Sequence, residues 1–334
     1  MSQGPTTSTL RTMTDVWATY RTELHSVDDH IRLNLDSSVT LVNTVAAHIL
    51  SSGGKRIRPL LLLLSARLCG DTSSDPHRLG SLVEFIHTAT LLHDDVVDDA
   101  DLRRGRQTAR KVWGNQISIL VGDYLYSHAM RQIVTFKNQA INETLAEACR
   151  SMAEGEVLQL YHHRSIAMTE EHYIRIVEHK TASLIAAACR IGAISGRASE
   201  EQRTALFRFG EYIGIAFQMA DDTLDYMADG ASLGKTLGKD LFEGKITLPL
   251  LHLLQHCAEP DRKMIKDRLE TRTLSDTDLK QIIALMQDYG SIAYAMDRAR
   301  AYVAAATRSL DLFEESPARR ALVIVADYMV HRDR

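Results

Sequence analysis

The sequence has few residues that interrupt a helix. Proline occurs only six times in 334 residues, and no proline lies between Pro76 and Pro249. So long a stretch without proline is hard to reconcile with many short strands, and Ala, Leu, Glu and Arg, which favour helix, are frequent in it. The middle of the chain is therefore predicted to form long helices.

The chain also has few cysteines, no excess of positive charge and no long apolar run. The net charge of −4 leaves no basic excess for binding nucleic acid. The longest aliphatic run, residues 60–64, is too short to cross a bilayer, and residues 1–10 lack the basic start and apolar run of a signal peptide. We expect a soluble cytoplasmic protein. The cysteines show no paired spacing, so they suggest neither a disulfide framework nor a zinc knuckle and fit a reducing compartment; they are Cys69, Cys149, Cys189 and Cys257.

Apolar periodicity predicts a series of helices across the chain. They cover residues 39–51, 59–69, 78–98, 116–136, 143–161, 169–195, 201–226 and 248–255, with several more toward the end. Two segments, 82–92 and 213–220, are apolar on nearly every face, which is typical of helices buried in the centre of a large helical protein. No composition break marks a boundary, so we expect one domain over residues 1–334.

Each of these two apolar segments leads into a cluster of acids. The first cluster, HDDVVDDAD at residues 93–101, has five carboxylates, and the spacing of Asp94 and Asp98 places both on one helix face. Like charges at this spacing cost about 0.2–0.5 kcal/mol per pair even on an exposed helix. The second cluster repeats the geometry with Asp221 and Asp225, and Gln218 lies one turn before them.

A single run of acids is usually a solvated surface, but two DDxxD clusters that each end an apolar helix favour a bound cation. No His or Cys stands at ligand spacing. Carboxylates that leave coordination positions open suit Mg²⁺, which completes its octahedron with water and phosphate oxygens. The expected ligand is therefore a phosphate ester.

Basic residues that could hold phosphate follow the same pattern. The turn GGKRIRP at residues 53–59 carries three cations into a helix, Arg103 and Arg104 follow the first acid cluster, and Lys235, Lys239 and Lys245 follow the second. Lys239 fits a solvated turn equally well. His87 lies on the face of Asp94 and Asp98, and either a buried core role or a ligand role is open to it. The motifs HExxH, GxSxG and GxGxxG are absent, which argues against a zincin, a serine hydrolase and a dinucleotide fold.

Several ordered motifs resemble those of the trans-isoprenyl diphosphate synthases. They are GGKRIRP at 53–59, LLHDDVVDDADLRRG at 91–105, HKTASL at 179–184, AFQMADDTLDY at 216–226 and LGKDLFEGKITLPL at 237–250. Segments 112–126 and 153–160 and the terminal HRDR are most similar to the long-chain, octaprenyl-type bacterial members. The resemblance implies an all-α antiparallel helical bundle around a deep central cavity, the isoprenoid synthase fold, in a homodimer.

The resemblance also implies the chemistry and the site. Asp94 and Asp98, with Asp221 and Asp225 on the opposite side, would hold about three Mg²⁺ ions against the diphosphate of an allylic substrate. Isopentenyl diphosphate would bind to Lys55, Arg58, His87 and Arg104. The allylic diphosphate would contact Arg103, Lys180, Thr181, Gln218, Lys235 and Lys245. The released pyrophosphate would take the proton, so no side-chain base is required.

Product length depends on what lies beneath the first acid cluster. In family members that make short products, bulky aromatic residues close the cavity five and four positions before the first aspartate; here these are the small residues Ala89 and Thr90. The growing chain would run along the helix past Ile86 and Leu82 to a floor near Met130. The expected product has about eight isoprene units, for quinone side chains.

Other enzymes and a noncatalytic binding subunit fit the sequence less well. A metal-dependent phosphohydrolase would need further metal-ligating histidines. A terpene cyclase usually replaces the second acid motif and has no isopentenyl site, and a noncatalytic subunit would be expected to have lost one aspartate cluster. A prenyl diphosphate synthase with a shorter or longer product, from geranylgeranyl to solanesyl or decaprenyl, also remains open.

Overall fold

A computed structural model describes residues 10–51, 53–227 and 238–331, which are almost entirely helical. In this part of the chain the helices are α1 (Met13–Thr19), α2 (Arg21–Leu33), α3 (Thr40–Leu50), α4 (Ile57–Leu68), α5 (Asp75–Val97), α6 (Ala109–Trp113), α7 (Asn115–Val134), α8 (Gln139–Tyr161), α9 (Glu170–Val177), α10 (Ser183–Ser195), α11 (Glu200–Leu224), α12 (Lys239–Glu243), α13 (Leu248–His256), α14 (Glu259–Thr271), α15 (Asp276–Asp288), α16 (Ser291–Ser309) and α17 (Pro317–His331). The all-α prediction is confirmed.

The predicted helices are present, with ends that differ by a few residues. The prediction of one helix over 169–195 is wrong in one respect, because a π-helical turn, Glu178–Ala182, separates α9 from α10. Such turns widen the helix by one residue and are frequent at functional sites. Thr169 caps α9 by accepting a hydrogen bond from the backbone N–H of His172, which explains why the helix begins there.

A pair of two-residue strands, β1 (Leu102–Arg103) and β2 (Arg106–Gln107), follows α5. They pair antiparallel, with Arg103 opposite Arg106. The turn between them places Arg104 and Gly105 at φ of 51° and 75°, a left-handed pair that allows a two-residue hairpin turn. The helical pattern of the sequence does not predict this hairpin.

The chain divides into two compact units, each made of separate segments. The described residues of the first unit fall within Met1–Cys149, Leu184–Gly210 and Leu310–Val325. In this unit α5 packs against α2, α4 and α7. The five leucines at positions 60–64 are fully buried, as are Phe85 and Ile86 on α5. The all-apolar character of these segments therefore reflects burial in a helical core.

The described residues of the second unit fall within Arg150–Ser183, Glu211–Ser309 and Ala326–Arg334. Here α13 packs against α15 and α16. The core includes Ile215, Ala216, Met219 and Ala220 of α11. Among the described residues, no helix is long and apolar enough to span a membrane. The single domain over residues 1–334 stays a prediction.

Candidate active site

The first acid cluster lies at the end of α5. The backbone N–H of Asp98 donates to the carbonyl of Asp94 at 2.8 Å, which closes the last helical turn and keeps the two side chains on one face. Both residues are half-buried. The negative end of the helix dipole also repels each of the two carboxylates. This end of α5 is therefore electrostatically suited to a cation.

The other carboxylates of the cluster form ion pairs. Asp95 is only 1% exposed, and its Oδ1 accepts a hydrogen bond from Nε of Arg103 on β1 at 2.8 Å. Nη2 of Arg103 lies 2.8 Å from the same oxygen, so the two side chains form an ion pair. Arg110 of α6 pairs with both Asp99 and Asp101. Five carboxylates that look equivalent in the sequence thus separate into groups with different surroundings. Arg103 has five N–H donors, so it can pair with Asp95 and still donate other N–H groups to a phosphate.

A group of cations lies near the start of α4. The side-chain Nε of Arg58 is buried and has no hydrogen-bond partner among the described residues. Burial lowers the pKa of Arg58, and the charge of Arg104 lowers it further. Burial and the charges of Arg58 and Arg104 also hold the pKa of His87 well below its usual value, so this ring is neutral near pH 7. Cations that repel one another this closely suit a bound anion.

The three cations of GGKRIRP have different surroundings. Arg56 precedes α4 in the left-handed conformation, at φ 48°, and pairs with Asp28 at 3.0 Å and Glu84 at 2.7 Å. These ion pairs indicate a structural role for Arg56, which the family resemblance did not assign to the isopentenyl diphosphate site. Lys55 is exposed. A Cβ on Gly54 would lie 3.3 Å from Nη1 of Arg104, so a side chain there would crowd these arginines.

The residues of α5 on the predicted path of the prenyl tail are small or aliphatic. Ala89 and Leu82 are buried, and Thr90 is half-buried with its hydroxyl donating to the carbonyl of His87 at 2.8 Å. Met130 of α7 is half-buried. Helices α5 and α7 pack closely at Gly122, where a Cβ would lie 2.3 Å from Nε2 of His93.

The second acid cluster lies at the end of α11. The backbone N–H of Asp225 donates to the carbonyl of Asp221 at 3.3 Å, which repeats the helical turn of the first cluster. The N–H of Asp240, at the start of α12, donates to Oδ2 of Asp225 at 3.0 Å. Burial and the charges of Asp225, Glu243 and Asp221 raise the pKa of Asp240 against the opposing effect of Lys245. Several acidic groups are thus concentrated at this end of α11.

Asp222, between the two predicted metal ligands, is buried in a network of neutral donors. Tyr173 donates its hydroxyl hydrogen to Oδ2 of Asp222 at 2.7 Å, and Nε2 of Gln218 donates to Oδ1 at 2.7 Å. Burial and the charge of Asp240 raise the pKa of Asp222. Sequence reasoning missed Tyr173 and Asp240; the quoted motif LGKDLFEGK contains Asp240, whereas no local pattern singles out Tyr173.

Lys180 and Thr181 lie on the π-helical turn. Lys180 Nζ is 2.5 Å from Oε1 of Glu156 and donates to Oε1 of Gln159 at 2.7 Å. Thr181 donates its hydroxyl hydrogen to Oε1 of Gln218 at 2.9 Å. A hydrogen bond thereby connects two of the predicted allylic-site residues, Thr181 and Gln218. Lys180 and Thr181 both lie on the turn that interrupts the predicted helix over 169–195.

Two further lysines, Lys245 and Lys235, are assigned to the allylic site by the family resemblance. Lys245 Nζ lies 2.9 Å from Oε2 of Glu243 and 4.0 Å from Oδ1 of Asp240, so it faces the acids that follow α11. Lys235 lies outside the described residues.

The donor chemistry of both clusters fits Mg²⁺. Each DDxxD motif supplies carboxylate oxygens one helical turn apart, without the histidine or thiolate ligands that softer metals prefer. Within the described ranges, no three His, Cys, Asp or Glu side chains form a recognisable metal-ligand cluster. The carboxylates are present as pairs, which is the ligand type that Mg²⁺ uses beside substrate phosphates.

Known proteins are similar to this chain in both sequence and fold. The polyprenyl synthetase family model matches residues 39–286. Octaprenyl diphosphate synthase from Escherichia coli is 40% identical over 312 residues, 93% of this chain and 96% of that protein. A decaprenyl diphosphate synthase structure from Rhodobacter capsulatus aligns with a TM-score of 0.92 and 39% identity, covering 96% of this chain and 99% of the other.

A second structure carries ligands. Polyprenyl synthase from Caulobacter crescentus, complexed with calcium and isoprenyl diphosphate, aligns with a TM-score of 0.91 and 35% identity over 99% of both chains. The match of the family model over most of the chain agrees with the acid pairs and helices described above. The chain therefore belongs to the polyprenyl synthetase family of trans-prenyl diphosphate synthases, and it is a prenyltransferase with the all-α isoprenoid synthase fold.

Proposed function

We propose that this long-chain trans-polyprenyl diphosphate synthase extends farnesyl diphosphate with isopentenyl diphosphate to octaprenyl diphosphate, a precursor of quinone side chains. The observation that carries the proposal is the presence of two DDxxD motifs, each ending a buried helix, in a chain 40% identical to an octaprenyl diphosphate synthase. The decaprenyl diphosphate synthase with the same fold makes a longer product the chief alternative.

The aspartate pairs would hold Mg²⁺ against the allylic diphosphate: Asp94 and Asp98 on α5, Asp221 and Asp225 on α11. When bound, Mg²⁺ supplies the positive charge that stabilises the diphosphate as a leaving group. The complex of calcium and isoprenyl diphosphate with the Caulobacter crescentus protein supports a divalent cation and a prenyl diphosphate ligand here.

The cation group at the start of α4 would hold isopentenyl diphosphate. Arg58 and Arg104 donate N–H groups to the phosphate oxygens, and Lys55 adds a point charge from the exposed turn. His87, neutral because of its depressed pKa, donates one ring N–H without adding to the repulsion between the arginines.

The residues around the π turn would hold the allylic partner. Lys180, Lys245 and Arg103 bind its diphosphate, together with Lys235. The oxygens of Thr181 and Gln218 stabilise the positive charge that develops on the allylic carbon as its bond to the diphosphate breaks. The double bond of isopentenyl diphosphate then forms the new carbon–carbon bond, and the released pyrophosphate accepts the proton.

Chain length would be set along α5. With Ala89 and Thr90 small, the prenyl tail can extend past Ile86 and Leu82 toward Met130. Replacement of Ala89 by Tyr tests this route: we expect farnesyl or geranylgeranyl diphosphate as the main product, with the first condensation largely retained. An unchanged product distribution from the folded, active variant would show that the tail follows another route.

A homodimer in the cytoplasm completes the proposal. Helix α7 exposes a stripe of apolar side chains, including Leu120 at 62% and Val134 at 58% exposure. Exposed apolar side chains on one helix suit a symmetric contact with a second copy. Light scattering should report a dimer for the full chain and a smaller species for Leu120→Glu.

Product analysis tests the reaction. The chain is incubated with isopentenyl diphosphate, farnesyl diphosphate and Mg²⁺, and the dephosphorylated products are separated by length. We expect an all-trans C40 chain, about eight isoprene units. A cyclic hydrocarbon would indicate a terpene cyclase, and free farnesol with phosphate release would indicate a hydrolase; either result would overturn the proposal.

A further inference from the structure

We infer that Tyr173 is a positioning residue for the allylic substrate, acting through Asp222 and Gln218 on the hydroxyl of Thr181. The inference rests on the proposed function, in which Thr181 and Gln218 contact the allylic partner. It assigns the middle aspartate of the second DDxxD motif to holding Gln218, while Asp221 and Asp225 are the proposed metal ligands.

Four side chains form one continuous series of hydrogen bonds. Tyr173 donates to Oδ2 of Asp222 at 2.7 Å, Nε2 of Gln218 donates to Oδ1 at 2.7 Å, and Thr181 donates to Oε1 of Gln218 at 2.9 Å. Both oxygens of Asp222 are engaged, and the residue is 7% exposed. Tyr173, at 3% exposure, lies in the hydrophobic core of this unit. The series therefore runs from the core to the π turn.

The direction of the bonds matters for the chemistry. An amide presents an acceptor oxygen at one end and a donor nitrogen at the other. Nε2 of Gln218 donates to Asp222, so the Oε1 atom of Gln218 is directed to Thr181. The hydroxyl hydrogen of Thr181 is therefore donated to Gln218. The lone pairs of Thr181 remain available to a positive charge. A Gln218 amide turned around would present N–H groups here, which disfavour positive charge.

The π turn that carries Thr181 is held closely by two glycines of neighbouring helices. A Cβ at Gly155 of α8 would lie 2.5 Å from the backbone nitrogen of Lys180, and a Cβ at Gly214 of α11 would lie 2.6 Å from Cα of Ala182. Such distances leave no room for a side chain. The backbone on both sides of Thr181 is therefore closely packed, and the hydrogen bond to Gln218 restricts the rotation of the Thr181 hydroxyl.

Tyr173→Phe tests the inference because it removes one hydroxyl and keeps the ring in the core. Tyr294→Phe is the matched control: Tyr294 lies in the same unit and donates to a carboxylate, Oε2 of Glu170, at the same distance of 2.7 Å. We expect Tyr173→Phe to lower kcat/KM for farnesyl diphosphate about tenfold, with the KM for isopentenyl diphosphate unchanged, and Tyr294→Phe to change neither.

A double-mutant cycle separates positioning from simple core stability. If Tyr173 acts through Gln218, Tyr173→Phe has less than about a twofold effect in a Gln218→Ala background. The same tenfold loss in that background, or an equal loss in Tyr294→Phe, would overturn the inference. Asp222→Asn serves as a second variant if Tyr173→Phe does not fold, and full wild-type kcat/KM for farnesyl diphosphate in Asp222→Asn would also overturn it. Absence of any elongation by the wild-type chain would instead overturn the proposed function.

Discussion

The two acid clusters share the DDxxD spacing, but their surroundings differ. In the first, Asp95, Asp99 and Asp101 pair with Arg103, Arg110 and Lys111, all supplied by the next ten residues of chain. In the second, Asp222 accepts hydrogen bonds from the neutral groups of Tyr173 and Gln218, and its pKa is raised. In the first cluster these carboxylates are thus balanced by cations, whereas in the second cluster Asp222 is held by neutral donors and its burial favours the uncharged form.

This difference assigns separate tasks to aspartates that look alike. Arginine pairs in the first cluster tie the end of α5 to β1 and α6, while Asp94 and Asp98 share the remaining helix face. In the second cluster the middle aspartate orients an amide. A DDxxD motif therefore contains structural residues beside the proposed metal ligands, and variants can separate the two roles.

The largest expected effect is loss of turnover on removing a proposed metal ligand from either cluster. Asp94→Ala and Asp225→Ala should each lower kcat at least about a thousandfold, since the cation stabilises charge that develops during ionisation. Asp99→Asn is the control, because this residue is exposed, pairs with Arg110 and can keep its left-handed backbone as asparagine. It should retain kcat within about threefold. Near-normal turnover of either alanine variant would refute the metal assignment.

Stability should distinguish the clusters more sharply than activity. Asp95→Asn removes the charge that Arg103 pairs with at a buried position, and we expect a loss of about 2 kcal/mol in unfolding free energy, below the value for a fully buried pair because Arg103 is partly exposed. Asp222→Asn should change stability by less than about 1 kcal/mol, because its partners are neutral. Urea unfolding at pH 7.5 without metal measures both. Equal losses would show that the surroundings of the two aspartates are energetically alike.

The cations near the start of α4 and those near the second acid cluster should bind different substrates. Arg58→Ala should raise the KM for isopentenyl diphosphate about tenfold to a hundredfold, as expected for a lost charge-assisted phosphate contact, with little change in the KM for farnesyl diphosphate. Lys245→Ala should do the reverse. Steady-state kinetics with each substrate varied in turn gives both constants, and equal shifts in the two would contradict separate sites.

The smallest effect concerns the neutral His87. Its pKa is depressed in the folded state by burial and by neighbouring arginines, so below about pH 6.5 the unfolded chain binds a proton that the folded chain does not. Stability is therefore lost as pH falls through this range, by up to about 1.4 kcal/mol per pH unit. His87→Gln should reduce the loss between pH 6.5 and 5.5 by about 1 kcal/mol. Replacement of an exposed histidine, His25→Gln, is the control. If the unfolding free energy depends on pH equally in wild type and His87→Gln, His87 is not the source of this loss.

The helices and acid pairs could be predicted because both depend on local spacing. Apolar segments mark the buried parts of α5 and α11. A separation of four residues places Asp94 and Asp98 on the same helix face, independent of the tertiary structure. The partner of each charge could not be predicted in this way. The pairing of Arg103 with Asp95 depends on a hairpin of two-residue strands, and the bond from Tyr173 to Asp222 spans 49 positions of sequence.

Binding of Mg²⁺ in the presence of inorganic pyrophosphate tests the central assignment, that Asp94 and Asp98 with Asp221 and Asp225 are the metal ligands. Calorimetric titrations would compare the wild-type chain, Asp94→Asn/Asp98→Asn, Asp221→Asn/Asp225→Asn and the control Asp99→Asn. We expect wild type and the control to bind Mg²⁺ only when pyrophosphate is present, and each double variant to lose most of this binding. Unchanged Mg²⁺ binding in both double variants would contradict the assignment.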